Sequence, residues 1–187
     1  YGGAKNANVK GNVELTIRGG TFGKVFGGNN QSGAIFGHII LNIEETNPDC
    51  SPIIIDELYG CGNMAAYSVY GYYQDGTDEN GYPKYVPRTS ANDHVPVTFE
   101  GKPHTNPNAV ANKYQYDDPV VNIISCTRIG KVFGGGLGLG AVVYGSPTVN
   151  INQMKGVWAG KTYGTGDDAF VIDDDLGKIG DVFGGGN

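Results

Sequence analysis

The chain has 187 residues, of which 32 are glycine, and its formal net charge is −6. Thirteen Lys and Arg against nineteen Asp and Glu argue against a nucleic-acid partner or an anionic membrane, which both need clustered cations. The glycine content disfavours helices, because each glycine costs a helix roughly 1 kcal/mol relative to alanine, and no apolar run is long enough to suggest membrane insertion.

A glycine-rich anchor motif recurs along the chain. Its four copies lie at 22–29, 55–63, 129–136 and 179–187, and each places an aromatic residue before a pair of glycines or a Gly-Cys-Gly variant. The opening 1–3 segment, Tyr-Gly-Gly, matches the end of a fifth copy. Repetition of so specific a pattern indicates a repeat protein.

The anchor copies predict three features of the stacked units. Aromatic side chains at one equivalent position should form a ladder: Phe26, Tyr59, Phe133 and Phe183. Charges two positions earlier alternate in sign and should attract one another across one strand spacing: Lys24, Glu57, Lys131 and Asp181. A charged binding stripe is the alternative interpretation of these charges. We expect the glycines to turn corners at positive φ, which glycine adopts without strain.

Two further β-prone blocks accompany the anchors. One contains 33–37, 66–71 and 140–145; the other contains 13–17, 41–43, 119–123 and 147–151. The apolar-polar alternation of the second block is typical of a strand buried on one face. With two interruptions removed, the anchor aromatics recur every 25–28 residues, whereas a propeller blade needs about 40.

The repeat therefore predicts an all-β fold, a parallel β-helix (β-solenoid) of four to five coils. A right-handed coil follows from the general preference for right-handed crossovers. We expect 1–187 to be a single solenoid domain and a segment of a longer chain, with open coil ends that favour end-to-end self-association.

The long interruption, 72–117, is a Tyr- and Pro-rich insertion, and 153–177 is a shorter one. In the first, two Tyr-containing segments flank the polar stretch 75–81, which predicts a protruding hairpin. Tyrosine combines an apolar face with a polar tip and suits contact with sugars or proteins. The candidate ligand-binding residues are Tyr72, Tyr73, Tyr82 and Tyr85. The alternative is that these rings pack the insertion against the repeats.

Two carboxylate clusters suggest a possible Ca²⁺ site, because Ca²⁺ takes six to eight oxygen ligands. The candidate ligands are Asp75, Asp78 and Glu79 in the first insertion and Asp173, Asp174 and Asp175 in the second. Neither cluster has EF-hand spacing, and solvated acidic loops are the alternative. No other cofactor is indicated.

Enzymatic activity has little support in the sequence. His38, His94 and His104 are scattered, and no nucleophile-base arrangement stands out, so catalysis is not favoured. The three cysteines, Cys50, Cys61 and Cys126, leave two alternatives open: buried thiols, or a disulfide from Cys61 to one of the others.

At 20–29 and in the three other copies of the anchor motif, the sequence resembles glycine-rich repeats of large secreted or surface proteins of Bacteroidetes-type gut bacteria. These are regarded as adhesin-like β-solenoids, and the resemblance covers the repeat units but not the insertion at 72–117. It implies an extracellular or cell-surface location and transfers no catalytic residue.

We expect a non-catalytic structural or adhesive segment that displays the first insertion to a glycan or to a host or cell-surface protein. The alternative is a carbohydrate-active β-helix protein, either a polysaccharide lyase or hydrolase or a glycan-binding module. Parallel β-helices include such enzymes, which need paired carboxylates or a metal site.

Overall fold

The structure is a computed structural model that describes residues 1–89, 98–99, 102–103, 119–174 and 177–187. The described chain is all-β, with parallel sheets and a single short 3₁₀ turn at Gly166–Asp168. Most of the anchor and alternating segments form strands of two four-stranded parallel sheets, which we name sheet A and sheet B.

Sheet A contains the alternating segments and sheet B the anchor segments. Sheet A has the order β1-β3-β10-β13 (Val13–Ile17, Ile39–Glu44, Val120–Cys126, Thr148–Lys155). Sheet B has the order β16-β11-β4-β2 (Lys178–Phe183, Arg128–Phe133, Ile53–Tyr59, Gly20–Phe26). Each repeat unit thus contributes one strand to each sheet, and strands of consecutive units are neighbours in both sheets.

Shorter strands complete the structure. β5 (Tyr67–Ser68) and β12 (Val143–Tyr144) pair in parallel, and Val9 forms a parallel bridge with Ile35. Three antiparallel pairs lie within the interruptions: β6 (Tyr72–Thr77) with β7 (Pro83–Pro87), β8 (Thr98–Phe99) with β9 (Lys102–Pro103), and β14 (Thr162–Tyr163) with β15 (Phe170–Val171). The hairpin predicted around 75–81 is therefore confirmed as β6–β7.

Sheets A and B share the largest apolar core. Leu41, Val121 and Ile43 from sheet A pack with Ile55, Leu58 and others from sheet B, and all are buried. In sheet B the strict alternation is interrupted at Asp56: Ile55 and Leu58, three positions apart, both belong to this core, while Asp56 is exposed and is skipped in the pairing of β4 with β11. This irregularity explains why the alternation in the anchor segments could not predict which side chains point inward.

The predicted aromatic ladder is confirmed. Phe26, Tyr59, Phe133 and Phe183 are equivalent in register, and Tyr1 adds a fifth ring. Ring centroids lie 4.7–4.8 Å apart with interplanar angles of 6–9°. Val25, not Phe26, belongs to the core between the sheets, and Phe26 belongs to a separate buried cluster with Tyr59 and Phe133.

The predicted charge ladder is also confirmed in register, since Glu57 lies opposite both Lys24 and Lys131, and Lys131 opposite Asp181. The Lys24 Nζ lies 2.7 Å from the Glu57 Oε2. On sheet A, amides form a similar ladder: the Asn122 side chain donates to Asn42 at 2.8 Å, and that of Asn150 donates to Asn122 at 2.9 Å.

The expectation that the anchor glycines adopt positive φ is wrong. Glycines with positive φ include Gly20 and Gly71, but Gly27, Gly60 and Gly134 are not among them. Instead, a Cβ at Gly27 would overlap the carbonyl oxygen of Gly60, and one at Gly60 would overlap that of Gly134. These glycines are required because the backbones of successive units approach closely at the corner.

Candidate functional site

The β6–β7 hairpin is held against the repeats by its own aromatic residues. The Tyr72 side chain is 2% exposed and its hydroxyl donates to the Ala66 carbonyl at 2.9 Å. Its ring lies 5.5 Å from that of Phe36, and the Tyr85 ring meets Phe36 edge-on at 5.3 Å. Desolvation by burial raises the pKa of Tyr72 far above its ordinary value. Tyr72 is therefore an anchor for the hairpin.

Backbone contacts fix the base of the hairpin. The Arg88 N–H donates to the Gly71 carbonyl at 2.8 Å, and the Ser68 hydroxyl donates to the Arg88 carbonyl. Ser68 is fully buried in β5. The direction of the hairpin is thus set by the strand that immediately precedes it.

The hairpin tip is organised by Asp78. Its carboxylate Oδ1 accepts hydrogen bonds from the backbone N–H groups of Asn80 and Tyr82, each at 2.9 Å. Gly81 adopts a φ of 83°, which closes the turn without strain. Asp78 therefore shapes the loop and fixes the point at which Tyr82 leaves it.

Between the hairpin and the repeats lies a cleft of about 490 Å³, which we name the hairpin cleft. One wall is the hairpin, including Asp78, Tyr82, Lys84 and Tyr85; the other is formed by the flank at 6–8, 31–34 and 64–66. Tyr82 is 69% exposed, and the flank contributes three exposed amide residues, Asn6, Asn8 and Gln31. The Asn8 Oδ1 accepts from the Ala34 N–H at 2.9 Å, which leaves its amide N–H groups to face a ligand. The cleft therefore combines an accessible aromatic face with amide donors and acceptors.

The four predicted tyrosines occupy different environments. Tyr82 and Tyr85 line the hairpin cleft, with Tyr85 half-buried; Tyr72 also lines it but is buried. Tyr73, half-buried opposite Val86 in the hairpin, is not among the residues that line the cleft. The packing interpretation thus describes Tyr72 best, whereas Tyr82 has the exposure that a ligand contact requires.

The five predicted metal ligands that the structure describes are exposed, and they lie in two separate segments: Asp75, Asp78 and Glu79 in one, Asp173 and Asp174 in the other. Asp78 is engaged in the hairpin turn, while Asp173 pairs with Lys178, and Asp174 with Lys155 at 2.9 Å. Asp175 lies outside the described residues. Within the described part of the chain, no three His, Cys, Asp or Glu side chains converge as a metal site would require. The Ca²⁺ site remains a prediction.

The cysteines are all free thiols in the structure: Cys61 and Cys126 are buried, and Cys50 is half-buried. Burial raises the pKa of the Cys126 thiol to about 12, and the nearby Glu45 carboxylate acts in the same direction. Neither disulfide alternative is formed.

The amide wall of the hairpin cleft was missed by reasoning from the sequence. Asn6 and Ser32 come together because they form a parallel bridge between the first two units. A clustering of asparagines at 6, 8 and 12 was the one signal that could have pointed to this flank.

The chain matches no protein-family model, and no similar protein was found among curated sequences or solved structures. None of the helical residues in the described ranges forms a segment long and apolar enough to cross a membrane. The argument for a binding site therefore rests on the geometry of the hairpin cleft.

Proposed function

We propose that this chain is a non-catalytic, extracellular structural and adhesive segment that presents the hairpin cleft to a glycan. The observation that carries the proposal is the pairing of the exposed Tyr82 ring with the amides of Asn6, Asn8 and Gln31 across one cleft. Aromatic faces stack on sugar rings, while amides exchange hydrogen bonds with sugar hydroxyls.

The architecture that we propose for the repeats is a right-handed parallel β-helix of four to five coils, each of 25–28 residues. The in-register parallel pairing in both sheets and the stacked rings support it. In such a fold each unit contacts its neighbours, and insertions extend from one face as binding elements. The two interruptions fit this role.

The carboxylate content of the cleft favours glycan binding over catalysis. In the cleft, Asp78 is the one carboxylate among the described lining residues, and its Oδ1 is occupied by the turn. Glycoside hydrolysis generally requires two carboxylates that flank the scissile bond. The resemblance of the repeats to adhesin-like surface proteins supports the cell-surface location.

A glycan array followed by calorimetry on the positive glycans tests this proposal. We expect Tyr82→Ala to weaken binding at least about tenfold, as expected for loss of a stacked aromatic contact. Tyr1→Ala is a matched control, because Tyr1 is 55% exposed but lies outside the cleft. Tyr72→Ala is less informative, since removal of this buried ring would also release the hairpin.

The outcomes separate the alternatives. Binding that persists in Tyr82→Ala, or no binding to any glycan, would exclude this cleft as a glycan site. Depolymerisation of a polysaccharide, abolished by Asp174→Ala, would instead support the carbohydrate-active enzyme. A host or cell-surface protein that binds in the same Tyr82-dependent manner would retain the adhesive role and change the partner.

A further inference from the structure

A second cleft lies on sheet B beneath the segment 156–172, far in sequence from the hairpin. Its volume is about 250 Å³. Its apolar lining comes from Ile54 in β4 and from the shorter interruption, where Ala159, Phe170, Val171 and Ile172 face it. We name it the Glu45 cleft after its one strongly buried carboxylate.

Glu45 is 1% exposed, and the structure holds it from several directions. Its Oε2 accepts from the Ile53 N–H at 2.6 Å, and the Thr127 hydroxyl lies 2.9 Å from Oε2 and 3.1 Å from Oε1. Its own N–H donates to the Ser125 hydroxyl at 2.8 Å. The carboxylate is therefore held by β4 of sheet B and by Thr127 between β10 and β11, while the Glu45 backbone is held by Ser125 of sheet A.

These contacts leave acceptor capacity on the carboxylate. A hydroxyl has one proton, so Thr127 can donate to only one of the two oxygens, whereas an ionised carboxylate offers about four acceptor positions. Among the described residues no Lys or Arg forms an ion pair with Glu45. A buried carboxylate without a cation is costly, and a cationic ligand would reduce that cost.

Gly156 lines the cleft, and its backbone packs closely against this carboxylate. A Cβ at this position would overlap the Glu45 Oε1. The next residue fixes the segment in place, because the Val157 N–H donates to the Glu45 carbonyl at 3.2 Å and the Trp158 indole N–H donates to the Cys50 carbonyl at 2.7 Å. The segment is therefore anchored beside the cleft at two points, the backbone of Glu45 and the backbone of Cys50.

The two cationic side chains that line the cleft each form an ion pair with an aspartate. Arg128 lies 3.5 Å from Asp56, and Lys178 pairs with Asp173. All four of these side chains are more than half exposed, so their charges are screened by solvent. Glu45 is the charge in the cleft that is both buried and without a counter-ion in the described chain.

We propose that the Glu45 cleft binds a small organic ammonium ion, whose N–H groups donate to the Glu45 carboxylate and whose apolar body packs against Phe170 and Ile172. The volume accommodates a ligand of a few carbon atoms, and the mostly apolar walls match an alkyl group. This site is separate from the hairpin cleft and does not depend on the proposed glycan-binding function.

Calorimetry with n-butylammonium chloride and n-butanol tests the proposal, because these probes share an alkyl chain and differ at the polar end. We expect the ammonium to bind at least about tenfold more tightly, since hydrogen bonds to a buried charge are the stronger kind. Glu45→Gln should abolish that preference. Asp49→Asn is the control, because it removes an exposed carboxylate from the same corner.

A second variant covers the possibility that Glu45→Gln does not fold. Phe170→Ala alters a wall residue that is 41% exposed, and it should weaken both probes about equally while keeping the preference for the ammonium. Equal binding of the two probes to the wild-type chain, or no binding at millimolar concentration, would overturn the proposal. So would an ammonium preference that persists in folded Glu45→Gln.

Discussion

At the residue scale, the anchor glycines are required by contact rather than by conformation. Gly60 donates its N–H to the Phe133 carbonyl at 2.8 Å, and a Cβ on it would overlap the Gly134 carbonyl oxygen and lie 2.9 Å from a methyl group of Val121. Parallel strands can keep their spacing at this corner only if no side chain stands between them.

We therefore expect Gly60→Ala to destabilise the chain by about 1–3 kcal/mol, the usual cost of overpacking. Chemical denaturation followed by circular dichroism measures this change. Gly23→Ala is the matched control: Gly23 belongs to the same motif, has no positive φ, and a Cβ added to it would meet open space, with nothing within 4 Å. Equal effects of the two substitutions would contradict the steric explanation.

The thiols give a second prediction at this scale. Cys61 and Cys126 are 1% and 2% exposed, and the raised pKa of Cys126, about 12, disfavours its reactive thiolate. In the folded chain we expect Ellman's reagent to titrate Cys50 alone, and in denaturant all three thiols. A titration in denaturant that shows one reactive thiol before reduction, and three after it, would indicate a disulfide that the structure does not contain.

At the scale of elements, the charge ladder on sheet B should make stability depend on pH. The hydrogen bond from Lys24, followed by that from Tyr59, lowers the pKa of the Glu57 carboxyl below its ordinary 4.5. The hydrogen bond to Glu57 raises the pKa of Lys24 above its ordinary 10.5. The stabilisation from Glu57 is therefore present above pH 4.5 and lost as the pH falls through its lowered folded value. That from Lys24 is present below pH 10.5 and lost as the pH rises through its raised folded value.

Glu57→Gln should consequently destabilise the chain at neutral pH, by no more than about 1 kcal/mol because the pair is partly exposed. The difference from wild type should shrink in strong acid and in 1 M salt. Urea denaturation across pH measures it, with Glu14→Gln as the control for an exposed carboxylate on β1. A difference that is unchanged by salt and by acid would show that packing, and not charge, dominates at this position.

The register of the strands could be predicted from the sequence, whereas the corner geometry and the clefts could not. Aligning Phe26, Tyr59 and Phe133 placed them opposite one another because repeat units must present equivalent residues at equivalent positions. A glycine, however, can be required either because φ is positive or because a neighbouring backbone lies too close for a Cβ. The sequence does not distinguish these two reasons, whereas the position of the neighbouring backbone does. The same holds for Tyr72 and Tyr82, whose different burial depends on where Phe36 lies.

Side-chain contacts between segments that are distant in the sequence could not be predicted either, because the sequence does not show which residues become neighbours in space. Glu45 meets Thr127 across 82 positions, and Trp158 meets Cys50 across 108. Glu45 and Thr127 meet because β3 and β10 are neighbours in sheet A across the first interruption, whereas the contact of Trp158 depends on how the second interruption packs, and that segment repeats no pattern with which it could be aligned.

At the scale of the whole molecule, the last strands of both sheets expose several apolar side chains. β13 and β16 are the last strands of sheets A and B, at the side opposite β1 and β2. Four of their apolar side chains are between 39% and 52% exposed: Ile151, Met154, Val182 and Phe183. These strands also have one unpaired edge each in the described chain. Unprotected edges with apolar side chains tend to pair with other strands.

We expect the 187-residue polypeptide to self-associate through these strands, with the Phe183 ring offering one further stacking position at the end of the ladder. Sedimentation velocity over a range of concentrations should show reversible association that Val182→Lys weakens, because lysine at a strand edge opposes pairing. Tyr82→Lys, which changes a 69% exposed ring on the hairpin, should leave association unchanged. If both variants associate as wild type does, the contact lies elsewhere on the molecule; a wild-type chain that stays monomeric would show that these edges do not pair with another copy.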